Sequence, residues 1–299
     1  MPMKRDAKAR VVDWLLVALM VLPFVLSMTL KVLLKPAGEG ISITGAQVYF
    51  TIPMPVMDLP ITESQVNSLM VVLSILGLCL YLTHGISVAP HSKRQIVAEW
   101  IVEKVQNLVN SNMGAYFSAF APFIAGIMFI SAFSSLSSLL GLFPPTSDMN
   151  IVAGWAILVF VLITYYKLKG GLLPYVKGFF EPVFIFAPFN IIGEVATPVS
   201  MSFRHYGNVL SGMVISTLVA YALQTLSHKL LGWLPGVLGQ FPFLQVGLPA
   251  ILSLYLDIFS GLMQAFIFAL LTTIYISTGF PQEEYERRKA KRKKALHTA

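Results

Sequence analysis

Apolar runs of bilayer length constrain this chain more than anything else in it. They lie at about 11–34, 66–85, 117–142, 151–166, 185–228 and 246–278. A helix needs about 20 mostly apolar residues to cross the hydrocarbon core. In lipid every backbone N–H and C=O must be paired within the spanning structure, so such runs are read as helices. Only 12% of the 299 residues are charged and 56% are hydrophobic, against about 25% charged in ordinary soluble domains. The expected fold is an all-α polytopic membrane protein with about six membrane helices. The net charge of +7 sits on residues flanking the apolar runs, which fits membrane topology and gives no reason to expect nucleic acid. The single cysteine, Cys79, excludes an intramolecular disulfide framework and reads as a core or lipid-facing residue.

The first run, 11–34, is long for a signal-peptide core and has no clean small-x-small cleavage site, so it is expected to be a retained extra span. Residues 35–65 hold Gly, Pro and the acids Glu39, Asp58 and Glu63 and read as an external loop. Residues 93–112 differ from the spans. Ile96, Val97, Trp100, Ile101, Val105, Leu108 and Val109 fall on one helical face, with Glu99, Glu103, Lys104, Asn107 and Asn110 on the other. That pattern predicts an amphipathic helix, either lying in the membrane interface or packed against a partner.

Basic residues cluster before the first run, after the second, after the fourth (Lys167, Lys169, Lys177) and in the tail at 281–299, while the alternate loops hold Lys35 and Lys229. The positive-inside rule then expects both termini in the cytoplasm. An even number of crossings must therefore lie between 183 and 280, where two long apolar blocks are available. As helices these would be about 66 and 50 Å long, against about 30 Å of hydrocarbon. The last two helices are thus expected to be long and strongly tilted, with Pro198 and the glycines at 193, 207 and 212 as bend points.

Within the first long block stands Arg204. A guanidinium is effectively always charged. Placing one at mid-bilayer depth costs about 2.5–3.5 kcal/mol on insertion scales, so it reads as part of an ion or substrate pathway. Ser200, Arg204, Gly207 or Asn208, and Ser211 recur at helical spacing around it. On the second block Ser253, Asp257, Ser260 or Gly261, and Gln264 do the same. Two charges and an amide at such spacing are not explained by ordinary small-residue helix packing.

The segments FNIIGEVATPVSMSFRHYGNVLSG and LYLDIFSGLMQAFIFALLTTIYIS resemble the C-terminal hairpin of subunit a of the F-type ATP synthase. LLGLFPPTSDMN is similar to that family's turn after the third span. The resemblance covers about 45–280 and implies a stator that carries protons, or sodium ions, to and from a rotating ring of c subunits through two aqueous half-channels. It implies further partners in b-type peripheral stalk subunits and the remaining ATP synthase complex, and residence in the plasma membrane of a bacterium. It implies no cofactor and no ATP site in this chain. Arg204 matches the family's essential arginine, and Asn208 and Gln264 match its polar companions, Gln264 being expected to hold or orient the guanidinium. Asp257 falls where the family usually has Glu or His. Two departures stand out. Met213 occupies a position that often carries Glu or His, which leaves Asp257, alone or with Asp148, for the outer route. The usual Arg-Leu-Phe is here Arg-His-Tyr, which puts His205 beside the arginine, where it reads as a packing histidine. Glu194 is the candidate for the inner route.

No P-loop, Cys/His metal spacing or Gly-x-Ser-x-Gly motif competes with this reading. An independent secondary cation transporter is the alternative. It would call for internal repeats with broken helices, and the Arg204 block has no second copy in the sequence.

Overall fold

The computed structural model describes residues 7–34, 45–55, 57–88, 92–181, 183–233, 242–245, 247–283 and 285–287. Glu39 and most of the basic tail lie outside the described residues. Six helices are long and apolar enough to cross a membrane, among the described residues. They are α1 (Ala7–Leu34), α2 (Glu63–Thr83), α4 (Ala121–Leu136, extended by 3-10 turns on both sides), α5 (Met149–Lys169), α7 (Ala187–Leu231) and α9 (Ser260–Gly279, preceded by a π-helical turn). The shorter helices are α3 (Lys93–Met113), α6 (Leu172–Phe179) and α8 (Leu248–Ser253).

The region read as loop at 35–65 contains an antiparallel hairpin, β1 (Val48–Ile52) with β2 (Leu59–Thr62). Helix α2 starts directly from it at Glu63, where Thr62 and Gln65 form a capping box. The strands are short and Pro-flanked, and a register shift between Val48 and Phe50 breaks the alternation that marks a strand in sequence.

Helix α1 lies along α2. A Cβ on Gly77 would come within 2.7 Å of the Met20 backbone nitrogen, so only glycine allows this approach. Both ends of α1 are tied down: Arg94 Nη1 donates to Asp13 Oδ1 at 2.8 Å, and Lys31 Nζ lies 3.1 Å from Glu63 Oε1.

The core lies where α3, α4, α5, α7 and α9 meet. It includes Val109, Ile124, Val159, Met201, Phe268, Ala269 and Ile276. Helix α3 buries Val105, Val109 and Met113 there, while Ile96, Val97 and Trp100 on its expected apolar face are exposed. Its C-terminal end therefore packs on the bundle, and its N-terminal half leaves an apolar surface open.

Helix α7 is a single element of 45 residues, uninterrupted by Pro198 or by glycines 193, 207 and 212. At 1.5 Å per residue it is about 68 Å long. The partner block is less regular: α8 passes through a π-helical turn at Leu254–Phe259 into α9. Single π turns often sit at functional sites, and this one carries Asp257.

Candidate functional site: the α7–α9 hairpin

Helices α7 and α9 run antiparallel. Gly193 and Gly279 line one cavity. Further along, Asn208 Nδ2 donates to Gln264 Oε1 at 2.8 Å. Beyond that, a Cβ on Gly212 would meet Leu256 Cβ at 3.5 Å. Glu194 therefore lies at one end of the hairpin and Asp257 toward the other. Arg204 sits between them, about 15 Å along the axis from Glu194 and about 12 Å from the Gly212 level.

Arg204 is exposed, as are Ser200, Asn208 and Ser211. The stripe foreseen on α7 is thus the helix's open side, flanked by exposed Val199, Phe203 and Ile215. Arg204 has no hydrogen-bond or ion-pair partner among the described residues. Gln264 makes no hydrogen bond to the guanidinium among the described residues. It is 2% exposed, faces inward and turns its oxygen to Asn208, so it joins α7 to α9 instead. Of the positions foreseen beside it, Gly261 is buried and Ser260 half-buried, and further along α9 Thr272 is buried and Tyr275 half-buried. Asp257 is half-buried in the π turn.

Glu194 accepts from Lys167 Nζ on both carboxylate oxygens, at 2.6 and 2.8 Å. The stem of Lys167 runs against the end of α9, where a Cβ on Gly279 would come within 3.1 Å of Lys167 Cε and 3.2 Å of Cγ. The pair lines a cavity of about 660 Å³ together with Tyr175, Asn190, Thr197, Tyr275 and Thr278. Burial first and the Glu194 carboxylate second push the Tyr175 hydroxyl's pKa above its ordinary value, so the phenol stays protonated and can donate beside the carboxylate. Asn190 Nδ2 donates to the Phe179 and Glu181 carbonyls and holds α6 as one wall. Lys167 and Tyr175 were not foreseen as members of this group. A basic residue at a helix end is ordinarily a topology marker, and nothing local links it to an acid 27 positions later.

Asp148 lies at the opposite end of α5. It caps that helix, accepting from the Asn150 backbone N–H at 3.0 Å, and it also accepts from the Ser64 hydroxyl. It belongs to a polar cluster with Glu63, which is 2% exposed and accepts from the Phe143 backbone N–H at 3.2 Å. Lys31 bridges Glu63 and the Gly141 carbonyl, the latter at 2.7 Å.

His205 is fully buried, within 3.2 Å of Ser131 Oγ through Nε2, and edge-on to Trp155 and Phe268. It faces the bundle, while Arg204 faces away from it. Among the described residues, no group of three or more His, Cys, Asp or Glu side chains is placed to hold a metal ion.

The family described as ATP synthase A chain matches residues 66–277. A Bacillus pumilus protein named ATP synthase subunit a is 31% identical over 236 residues, covering 73% of this chain and 93% of its own length. Its Bacillus subtilis namesake is 31% identical over 234 residues, with shares of 73% and 93%. A Propionigenium modestum protein named ATP synthase subunit a, sodium ion specific, is 26% identical over 275 residues, covering 81% of this chain and 88% of its own length. Helix α1, the hairpin and Glu63 precede the residues that the family matches.

Proposed function

The chain belongs to the ATP synthase A chain family, and from that premise we propose that it provides two separate ion routes to a rotating ring of c subunits, parted at Arg204. The single observation that carries this reading is the position of Arg204. It stands on the open face of α7, between a Glu194-lined cavity at one end and Asp257 at the other.

The physical logic is as follows. A ring carboxylate crosses lipid protonated and neutral, because an isolated charge there is too costly. Beside a fixed cation the charged form is favoured, so the carboxylate gives up its proton. Arg204 is a permanent cation on an apolar face, without an internal counter-ion among the described residues, so it can meet an external carboxylate. Its positive charge also repels a cation moving directly from one route to the other. The Asn208–Gln264 bond keeps α7 and α9 in register at this level. On the cytoplasmic side the cavity around Glu194, Tyr175 and Thr278 gives water access. On the outer side Asp257 exchanges protons, with the Asp148 cluster nearer the surface. The positive residues at the Lys167 end support this sidedness, and with it a cytoplasmic position for both termini.

Coupled to the rest of the complex, ion flow through these routes turns the ring and supports ATP synthesis; the chain itself holds no nucleotide chemistry. A helix of about 68 Å crosses about 30 Å of hydrocarbon only when strongly inclined. Inclination lets the open face of α7 follow several ring helices. Protons and sodium ions would use the same layout, and the ring's own site would choose between them.

The test is Arg204→Ala in the intact complex. ATP-driven acidification of inverted vesicles should be abolished while subunit recovery on purification stays normal. Normal pumping would overturn the assignment. Arg204→Lys should also fail, because a compact ammonium does not reproduce the broad planar fork.

A further inference from the structure

We propose that Lys167 is a specificity residue of the cytoplasmic route: its ammonium fills an oxygen-lined cation site beside Glu194 and so keeps alkali-metal ions out of that route while protons pass. The inference rests on the two-route reading above and adds a filter that belongs to this chain rather than to the ring.

The lining of the cavity is built to accept. Asn190 spends its amide hydrogens on the Phe179 and Glu181 carbonyls, which leaves its side-chain oxygen as the free group. Thr197 gives its hydroxyl hydrogen to the Gly193 carbonyl at 3.1 Å, and Thr278 gives its own to the Ile274 carbonyl at 2.8 Å. A hydroxyl bonded back to its own helix in this way offers only lone pairs to what lies beside it. With the Glu194 carboxylate, these side chains line one cavity and present oxygen to it. Hard metal cations are held by such a set: carboxylate, amide carbonyl and water oxygens. One carboxylate among neutral oxygens balances one positive charge, so the matching cation is monovalent.

The cation that fills the site is the chain's own. Lys167 Nζ lies 2.6 and 2.8 Å from the two Glu194 oxygens, and the side chains are 28% and 15% exposed. The stem of Lys167 is seated rather than loose, because a Cβ at Gly279 would come within 3.1 Å of its Cε. Glycine at 279 therefore leaves the room through which the stem reaches Glu194. Lys169, two residues on, is turned to the aromatic rings, its Nζ 4.6 Å from the Tyr166 ring centroid, so of the two lysines it is Lys167 that serves the cavity.

The two kinds of ion then fare differently. A metal ion needs the carboxylate oxygens as ligands, and both already accept from the ammonium. The fixed positive charge also repels a second cation at this range. A proton needs no such site. It is handed on through water and hydroxyls, with Tyr175 able both to donate and to accept beside the carboxylate, and the ion pair stays intact. The ring's own site chooses what the ring carries; Lys167 limits what arrives from the cytoplasm. Without the ammonium, Glu194 is left as an uncompensated charge in a partly buried site, which a cation from solution can neutralise.

The test uses inverted vesicles carrying the assembled complex, whose outer surface is the cytoplasmic face. ATP-driven acidification is followed as sodium chloride replaces choline chloride at constant total salt. The wild type should pump equally in both. Lys167→Met, which keeps the apolar stem and removes the charge, should be inhibited several-fold by sodium relative to its own rate in choline. Lys167→Met combined with Glu194→Gln should lose that sodium dependence, because the carboxylate that would bind the ion is gone. A sodium-insensitive Lys167→Met, a double variant still inhibited by sodium, or a wild type that needs sodium to pump would overturn the inference. Should Lys167→Met fail to assemble, Lys167→Gln carries the same comparison. A sodium-insensitive Lys167→Met beside an inactive Arg204→Ala leaves the two-route reading standing, so the two failures are distinguishable.

Discussion

Helices α7 and α9 carry the same kind of polar stripe, yet they place it oppositely. On α9, Gly261, Gln264, Thr272 and Thr273 are all buried, and packing accounts for them. Gly261 admits α4, Gln264 binds Asn208, and Thr272 bonds back to the Phe268 carbonyl at 2.8 Å. On α7, Ser200, Arg204, Asn208 and Ser211 are exposed. Only 6% of the most apolar stretch of α7 is buried, against 28% for α9, so most of what α7 presents is directed at something outside this chain. On the proposed reading the difference separates two reasons for polarity in a membrane helix: one helix needs it to build the subunit, the other to meet the ring.

Mutations should divide along the same line. The largest structural effect is expected at Gly261→Val. A Cβ there would sit 2.7 Å from Ser135 Cβ, and overpacking of this kind costs about 1–3 kcal/mol. Subunit recovery should fall sharply, whereas Arg204→Ala leaves it intact. Equal recovery of the two variants would erase the distinction between the helices.

Asp257→Asn should come next. Pumping should drop strongly with assembly preserved, and Asp257→Glu should keep part of the rate because it still exchanges a proton. Activity of Asp257→Asn at the wild-type level across pH 6–9 would move the outer route elsewhere, to the Asp148 cluster first.

A smaller effect is expected at the cytoplasmic cavity. Glu194→Gln leaves the Lys167 ammonium without its carboxylate and should slow pumping in part. Gly279→Ala puts a methyl within 3.1 Å of Lys167 Cε and should shift that side chain with a milder loss. Combining the two should cost little more than Glu194→Gln alone, since both act through one pair. Additive losses would mean that Lys167 acts independently of Glu194.

Much of the fold was legible because bilayer thickness leaves a strong mark on sequence: apolar runs of fixed length, bounded by charge. The hairpin at 48–62 and the eight-residue α6 leave no such mark. The π turn around Asp257 is equally silent, since a single wide turn changes no residue pattern. In the site, Arg204 was conspicuous because its charge has no cheap explanation in lipid. Its neighbour His205 carried no comparable signal: helical geometry placed it about 100° away, but only the packed bundle shows its buried, half-partnered ring. The Lys167–Glu194 pair was hidden for the same reason, as two helix ends meet only in three dimensions.

The central claim is that water reaches the Arg204 level from opposite sides by routes that do not join. Its most direct test is sided labelling of two single cysteines in the Cys79→Ser complex, Thr278→Cys in the cavity and Asp257→Cys in the π turn, with a charged thiol reagent read out by mass. The expected result is labelling of Thr278→Cys only from the cytoplasmic face and of Asp257→Cys only from the outer face. Labelling of both positions from the same face would contradict it.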